Sequence, residues 1–185
     1  IDTQGSVTLR SGANTDGSAT ADGSTTDGST GIGAAVALNV TDVDNTAGVG
    51  GTADVTGDGI TVEAVMTDRD GKDVHETSAK ATSGAGASGV GVAGSLAINA
   101  TVVRTTALLE GGAQGTLRDG TADGDSDAGE LKRATVSVTK ATAQALPKDG
   151  GATGSDAGIG ASMALNIADT DTRSAIAAEA VVNSA

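Results

Sequence analysis

Short runs of alternating larger and smaller side chains recur along the chain, separated by stretches rich in Gly, Asp, Ser and Thr. In residues 31–40 (GIGAAVALNV), Ile32, Val36, Leu38 and Val40 fall at even-numbered positions, while Gly, Ala and Asn fill the odd ones. A period of two is typical of a β-strand, in which successive side chains point to opposite faces. No segment shows a sustained 3.6-residue stripe of large apolar residues, so the pattern predicts an all-β fold.

Three copies of this run, called run a below, organise the chain into repeats. They are GIGAAVALNV (31–40), GVAGSLAINA (91–100) and GIGASMALNI (158–167), and their shared Asn residues lie 60 and 67 residues apart. A run c precedes each copy and a run b follows it. Runs c are 6–11, 59–65 and 134–140, and runs b are 46–55, 106–115 and 174–183. This order, written three times, predicts repeats at 1–57, 58–117 and 118–185, cut from a longer tandem array.

Stacking of the repeats follows from their small apolar content. A single repeat carries too little apolar material to form its own core, whereas stacked repeats bury a continuous narrow one. We therefore expect a β-solenoid of three repeats, in which Leu38, Ile98 and Leu165 stack directly on one another. The Gly/Asp-rich stretches between the runs are expected to be turns and long loops. They are 12–30, 66–86, 111–130 and 145–157.

An antiparallel β-sandwich is the alternative fold. In that fold, runs a and b would form a hairpin through Asp44-Asn45 in the first repeat or Asp171-Thr172 in the third. A sandwich core normally contains aromatic side chains, which bury the largest apolar areas. This chain has no aromatic residue, and that favours the solenoid.

Composition removes several classes of function. The 185 residues include 29 Gly and no Cys. The net charge is −13, and the 11 Lys and Arg residues are scattered along the chain. Disulfides and thiolate metal sites are excluded, and nucleic-acid binding is disfavoured because basic patches and stacking aromatics are both missing. The one histidine, His75, is expected in a surface loop, with no partners for a catalytic triad. We therefore expect a protein that is not an enzyme.

The repeat blocks 89–113 and 158–180 resemble the repeats of very large secreted bacterial adhesins of the filamentous-haemagglutinin-like and autotransporter-like kinds. In those proteins a Gly-rich β-branched segment ending in Ala, an aliphatic residue and Asn recurs many times. The resemblance covers runs a and b, about a third of the chain. It implies an elongated β-solenoid stalk exported to the cell surface or matrix. The family's secretion domain and anchor have no counterpart in these blocks, so the route of export is not carried over.

The recurring Asn39, Asn99 and Asn166 are the first candidate site. If the repeats stack in register, their amide groups form a ladder of hydrogen bonds along the stack, which is a structural role. Asn39 and Asn99 also begin Asn-x-Thr glycosylation sequons, but the third copy reads Asn-Ile-Ala. The ladder is the favoured interpretation.

An acidic stretch is the second candidate site. Asp123, Asp125 and Asp127 alternate, and Glu130 follows closely. Alternate oxygen ligands on a tight loop are how calcium loops gather their ligands, so calcium is the cofactor that this pattern favours. The stretch departs from an EF-hand, because Ala128 stands where that loop needs Gly. A solvated acidic loop at the edge of the stack is the favoured interpretation, and calcium binding at 123–130 is the alternative.

Two further acidic groups carry weaker signals. The stretch 68–73 (DRDGKD) contains three Asp residues, but its Lys would oppose a cation. Asp pairs also follow the Asn in the first and third repeats, whereas the second repeat has Val102 and Arg104 there. A metal site common to every repeat is therefore excluded.

These observations lead to a structural function. We expect an extracellular repeat that forms a stiff stalk or filament of a bacterial surface adhesin or biofilm matrix protein. Its partners would be like repeats, stacked end to end or laterally, and its acidic loops would keep it soluble. The alternative is a glycan- or surface-binding module with calcium-stabilised loops.

Overall fold

A computed structural model describes residues 1–25, 27–118 and 129–184. Across these three ranges the chain forms twelve β-strands and no helix, which confirms the predicted all-β class. The strands are β1 (Val7–Ala13), β2 (Gly17–Thr25), β3 (Thr30–Val49), β4 (Asp54–Gly57), β5 (Gly59–Met66), β6 (His75–Gly86), β7 (Val90–Leu109), β8 (Gln114–Leu117), β9 (Glu130–Thr135), β10 (Thr139–Thr153), β11 (Ala157–Ile176) and β12 (Val181–Ser184).

The strands form four sheets of three strands, and each strand pair in them is parallel. Their orders are β1-β5-β9, β2-β6-β10, β3-β7-β11 and β4-β8-β12. Each sheet therefore takes one strand from each of 1–57, 58–117 and 118–185, and the strand from 58–117 is always in the middle. The antiparallel sandwich is wrong for this chain, because parallel neighbours need a long crossover connection instead of a hairpin.

Runs a and b do not form the separate strands or the hairpin that the sequence suggested. Each run a continues without a break into the first part of run b, as the 20-residue strands β3, β7 and β11. Asp44 and Asn45 lie inside β3 and pair with Arg104 and Thr105 of β7. The remainder of each run b follows a β-turn, such as the one closed by the Ala53 N–H and the Gly50 carbonyl (3.1 Å), and contributes to β4, β8 and β12.

Three strands lie largely within stretches that were predicted to be loops. These strands are β2, β6 and much of β10. They pair in parallel, with one shift of register between Pro147 and Ala152 of β10, although Gly, Ser, Thr and Asp are frequent in their sequences. Ala19 and Ala21 of β2 pair with Ala79 and Ala81 of β6. Burial of this alternating alanine row against the long strands stabilises a segment whose local composition favours turns.

The third run c is also misplaced by the sequence prediction. Strand β9 covers 130–135 and pairs Leu131 with Ile60 of β5, whereas run c was drawn at 134–140. Val136 and Val138, which gave that run its strand-like pattern, are half exposed beyond the end of β9. Leu131 is the apolar residue that packs against the core here.

The interior contains two apolar clusters of different width. Where β2 and β6 face the first half of the long strands, the cluster is made of alanine, including Ala35, Ala37 and Ala97. The second cluster is larger and joins the ends of the long strands to β5, with Ile60 and Leu109 nearly inaccessible to solvent. The interior is therefore thin where it is lined by alanine and wider around β5.

The thin side explains which face of the long strands points inward. A Cβ atom on Gly33 would collide with the backbone carbonyls of Gly84 and Gly23 in the facing sheet. Only the small residues of run a fit such a narrow gap, so the larger aliphatic residues point outward. Leu38 does lie beside Ile98 in register, as expected, but on the outer surface, where its side chain is 58% exposed.

Candidate functional site

Asn39, Asn99 and Asn166 occupy one register position on the inward face of the three long strands. The Asn39 Nδ2 group donates to Asn99 Oδ1 (2.7 Å), and Asn99 Nδ2 donates to Asn166 Oδ1 (2.9 Å). The three amides thus form a continuous row of hydrogen bonds along the stack. Asn39 and Asn99 are buried, so neither could carry a glycan in the folded chain.

Threonine hydroxyl groups connect this row to the facing sheet. Thr77 of β6 lies 2.7 Å from Thr101, oxygen to oxygen, and its hydroxyl also accepts a bond from Asn99 Nδ2 (3.1 Å). Asn39 Nδ2 bonds to Thr41 Oγ1 (3.2 Å) on its own strand. Buried polar groups specify a structure when they are mutually bonded, so this network fixes both the register of the strands and the spacing of the two walls.

His75 is buried, and the expectation of a surface-loop histidine is wrong. It begins β6, is 0% exposed, and its Nδ1 accepts a hydrogen bond from the backbone N–H of Thr15 (3.0 Å). Its Nε2 has no hydrogen-bond partner in the described part of the chain. Burial lowers the pKa of His75, because a charged imidazolium is poorly solvated in the interior.

Acidification is expected to destabilise the protein through His75. Since its folded-state pKa lies below the unfolded value of about 6.5, the unfolded chain binds the proton more tightly. The free energy of unfolding should therefore be highest above pH 6.5 and fall as the pH drops below it. Urea unfolding between pH 7.5 and 5.5 measures this, and His75→Gln should flatten the profile. An unchanged pH dependence in that variant would contradict the assignment.

Only one of the four predicted calcium ligands falls within the described residues. Asp123, Asp125 and Asp127 lie outside the described residues, so the calcium site stays a prediction. Glu130 is described: it starts β9, is exposed, and its Oε2 lies 3.4 Å from Lys132 Nζ. Among the described residues, no group of three or more His, Cys, Asp or Glu side chains is placed to hold a metal ion.

The acidic stretch 68–73 forms a tight turn. Asp68 Oδ1 accepts the N–H of Gly71 (3.2 Å), and the backbones of Arg69 and Lys72 bond to each other. Lys72 Nζ in turn binds Glu76 (2.7 Å). The two basic residues of the turn pair with carboxylates outside it, Arg69 with Asp16 and Lys72 with Glu76, and the turn forms no metal-holding group among the described residues.

Charge alternates across the outer face of the long strands. Arg104 of β7 lies in register between Asp44 and Asp171, and its Nη1 is 3.0 Å from Asp42 Oδ1 and 3.6 Å from Asp44 Oδ1. Asp42 and then Asp44 raise the pKa of the arginine. The middle repeat therefore carries the cation that separates the carboxylates of its two neighbours.

An apolar face, which the sequence did not assign to the surface, covers part of the outside of the long strands. It is formed by the outward residues of the first half of β3, β7 and β11, and we call it the outer apolar face. Its members are Ile32, Ala34, Val36, Leu38, Val40, Val92, Gly94, Leu96, Ile98, Ala100, Ile159, Ala161, Met163, Leu165 and Ile167. None of these fifteen positions is polar or charged, and Ile32 and Val36 are 67% and 66% exposed.

The outer apolar face is ridged rather than flat. In register, Ala34, Gly94 and Ala161 form a row of small residues that runs across the strands. A row of larger residues lies on either side, so the small row is the floor of a shallow groove, which Val36 and Met163 border. Contiguous exposed apolar surface of this kind marks an interaction site in soluble proteins.

Comparisons with known proteins give no relative. No protein-family model matches the chain, and neither the curated proteins nor the solved structures contain a significant match. Within the described ranges, no helix is long and apolar enough to cross a membrane.

Proposed function

We propose that the chain is a β-solenoid segment of an extracellular bacterial surface filament, either a stalk or a component of the matrix around cells. The feature that carries this proposal is the repetition of equivalent residues at equivalent positions in three stacked repeats. Alanine pairs with alanine in the thin wall, and asparagine bonds to asparagine along the stack. Such a stack extends by adding copies, since each repeat contacts only its neighbours.

The outer strands support further stacking. No strand of the described chain pairs with the outer edge of β3 or of β11, each 20 residues long. The inward-facing side chains of β11 are also exposed, unlike those of β3 and β7. At the other end, Asp2 forms a parallel bridge with Thr56 of β4, in the position that another repeat's strand would take. The β11 end therefore offers a surface on which a further repeat would pack, whereas at the β3 end the segment at Asp2 already occupies part of the corresponding position.

The composition is consistent with a structural role outside the cell. The chain lacks cysteine and aromatic residues and carries a net charge of −13, and the polar loops between strands would keep a long array soluble by mutual repulsion. The resemblance to the repeats of secreted adhesins, stated for runs a and b, is the ground for placing the filament at the bacterial surface.

Doubling the chain tests the proposal. Two copies of 1–185 joined head to tail should form six stacked repeats, because β11 of the first copy accepts β3 of the second. Parallel strands are spaced about 4.8 Å apart, so the stack should grow from about 14 Å to about 29 Å while its width along the strands stays near 65 Å. Small-angle X-ray scattering measures these dimensions. Two tethered particles of unchanged thickness would overturn the proposal.

A further inference from the structure

We infer that the outer apolar face is the site at which two parallel copies of the stack pair side by side. The inference rests on the proposed solenoid architecture and names the partner of its outer wall. The face holds fifteen apolar positions in three strands and no group that could hydrogen-bond a glycan or a peptide. Its natural complement is a second apolar face of the same strand spacing.

The rows of the face are self-complementary in shape. Each strand carries a small residue next to a larger one: Ala34 beside Val36, Gly94 beside Leu96, and Ala161 beside Met163. If a second copy is turned by 180° about the stack axis, its rows run in the opposite order. The ridge that includes Leu96 then enters the partner's groove at Gly94, and the reciprocal contact forms by symmetry. Both grooves are filled.

The charged residues beside the outer apolar face also favour rotation about the stack axis. Turning the second copy about the strand direction instead would place each row on itself, so that Asp44 would face the partner's Asp171 and Arg104 would face its own copy. Groove would also lie on groove, leaving a gap. In the stack-axis arrangement the row that starts at Asp42 lies beyond the start of the partner's long strands, opposite the segment around Gly28 and Ser88. The two acidic rows then lie at opposite ends of the contact.

The area of the face sets the strength of the pairing. Nine residues of strand span about 30 Å and three strands about 14 Å, which gives roughly 400 Å² of contact on each partner. A standard interface buries about 800 Å² on each side. Three repeats thus supply about half of a stable interface, and we expect weak, reversible pairing of this chain that strengthens with every added repeat.

Cysteine cross-linking tests the arrangement directly, because the natural sequence contains no cysteine. In the stack-axis arrangement position 92 of one copy faces position 98 of its partner across sheets about 10 Å apart, whereas 92–92 and 98–98 pairs are about 20 Å apart. A mixture of Val92→Cys and Ile98→Cys, each with a distinct mass tag, is treated with a bis-maleimide that spans about 8 Å. The mixed dimer should exceed either homodimer several-fold.

Two surface variants distinguish pairing through complementary shape from nonspecific hydrophobic association. Gly94→Leu adds apolar area but fills the groove, so sedimentation equilibrium should show self-association weakened about tenfold. Val36→Glu should abolish it, while Val138→Glu, at a half-exposed valine off the face, should leave it unchanged. Far-UV circular dichroism checks that each variant is folded.

Three results would overturn the inference: a predominance of homodimers, stronger association of Gly94→Leu, or no cross-linking of folded protein at millimolar concentration. Cosedimentation with phosphatidylcholine vesicles that Val36→Glu abolishes would assign the face to lipid instead. Cross-linking reports on this face alone and the doubled chain reports on stacking alone, so either proposal can fail without the other.

Discussion

Gly91→Ala is expected to destabilise the protein by about 3 kcal/mol, the upper end of the usual range for overpacking a core. Gly91 lies on the inward face of β7, and a Cβ atom there would collide with the carbonyl oxygen of Thr153 and come within 2.8 Å of that of Ala85. Both contacts are backbone atoms of the facing sheet, so no side chain can rotate away. The two walls must separate instead, and urea unfolding followed by circular dichroism measures the loss.

The same strand supplies the control for this change. Gly94 points outward three residues later, where a Cβ atom would meet only the carbonyl oxygen of Ala161 at an ordinary 3.6 Å. Gly94→Ala should therefore change stability by less than about 0.5 kcal/mol or raise it slightly, since alanine restricts the unfolded chain. Equal losses in the two variants would contradict the assignment of the small-residue face to the interior.

Asn99→Ala should destabilise the protein by about 3 kcal/mol. Asn99 is fully buried in the middle of the asparagine row, where it accepts one amide bond from Asn39 and donates another to Asn166. Truncation removes both of these bonds and the bond to Thr77 Oγ1, takes away the acceptor of the buried Asn39 Nδ2 group, and opens a cavity. Each unsatisfied buried group costs about 1–3 kcal/mol. The measurement is the shift in urea midpoint at constant slope.

Asn166→Ala is the matched comparison, because it removes the same side chain from the exposed end of the row. Asn99 would keep its bonds to Thr77, and only one weak donor contact of Asn166, to the Ala141 carbonyl at 3.3 Å, would be lost besides the shared bond. A loss of about 1 kcal/mol or less is expected. If the two variants were equally destabilised, the row would have no special role in the interior.

The alternation of side chains in run a was enough to predict the first half of each long strand, and the Asn spacing was enough to predict how these three strands align. The 60- and 67-residue intervals between Asn39, Asn99 and Asn166 are the intervals at which β3, β7 and β11 pair. Period-two patterning is a local property of the sequence. The repeats can be aligned from their recurring Asn residues without any knowledge of the fold. These two signals can be read from the sequence because neither depends on which residues face the strands across the core.

The direction of the faces could not be predicted in the same way. Alternation separates Leu38 from Asn39 but does not say which of them points inward, and large apolar residues ordinarily do. The deciding fact is the close approach of the facing sheet at Gly33, a contact between residues far apart in sequence. The strands β2 and β6 that make this contact were themselves assigned to loops. A signal for them did exist in the repeated Ser-Ala-x-Ala at 18–21 and 78–81.

The long strands also determine how much polypeptide a filament of this kind would consume. Each repeat of about 60 residues lifts the stack by one strand spacing, about 4.8 Å, whereas an α-helix of that length would extend about 90 Å. To reach 500 Å from a cell, a single chain would need roughly 100 such coils, or some 6,000 residues. A filament of this kind would gain breadth from its 20-residue strands, and only a very long chain could extend it far from a cell.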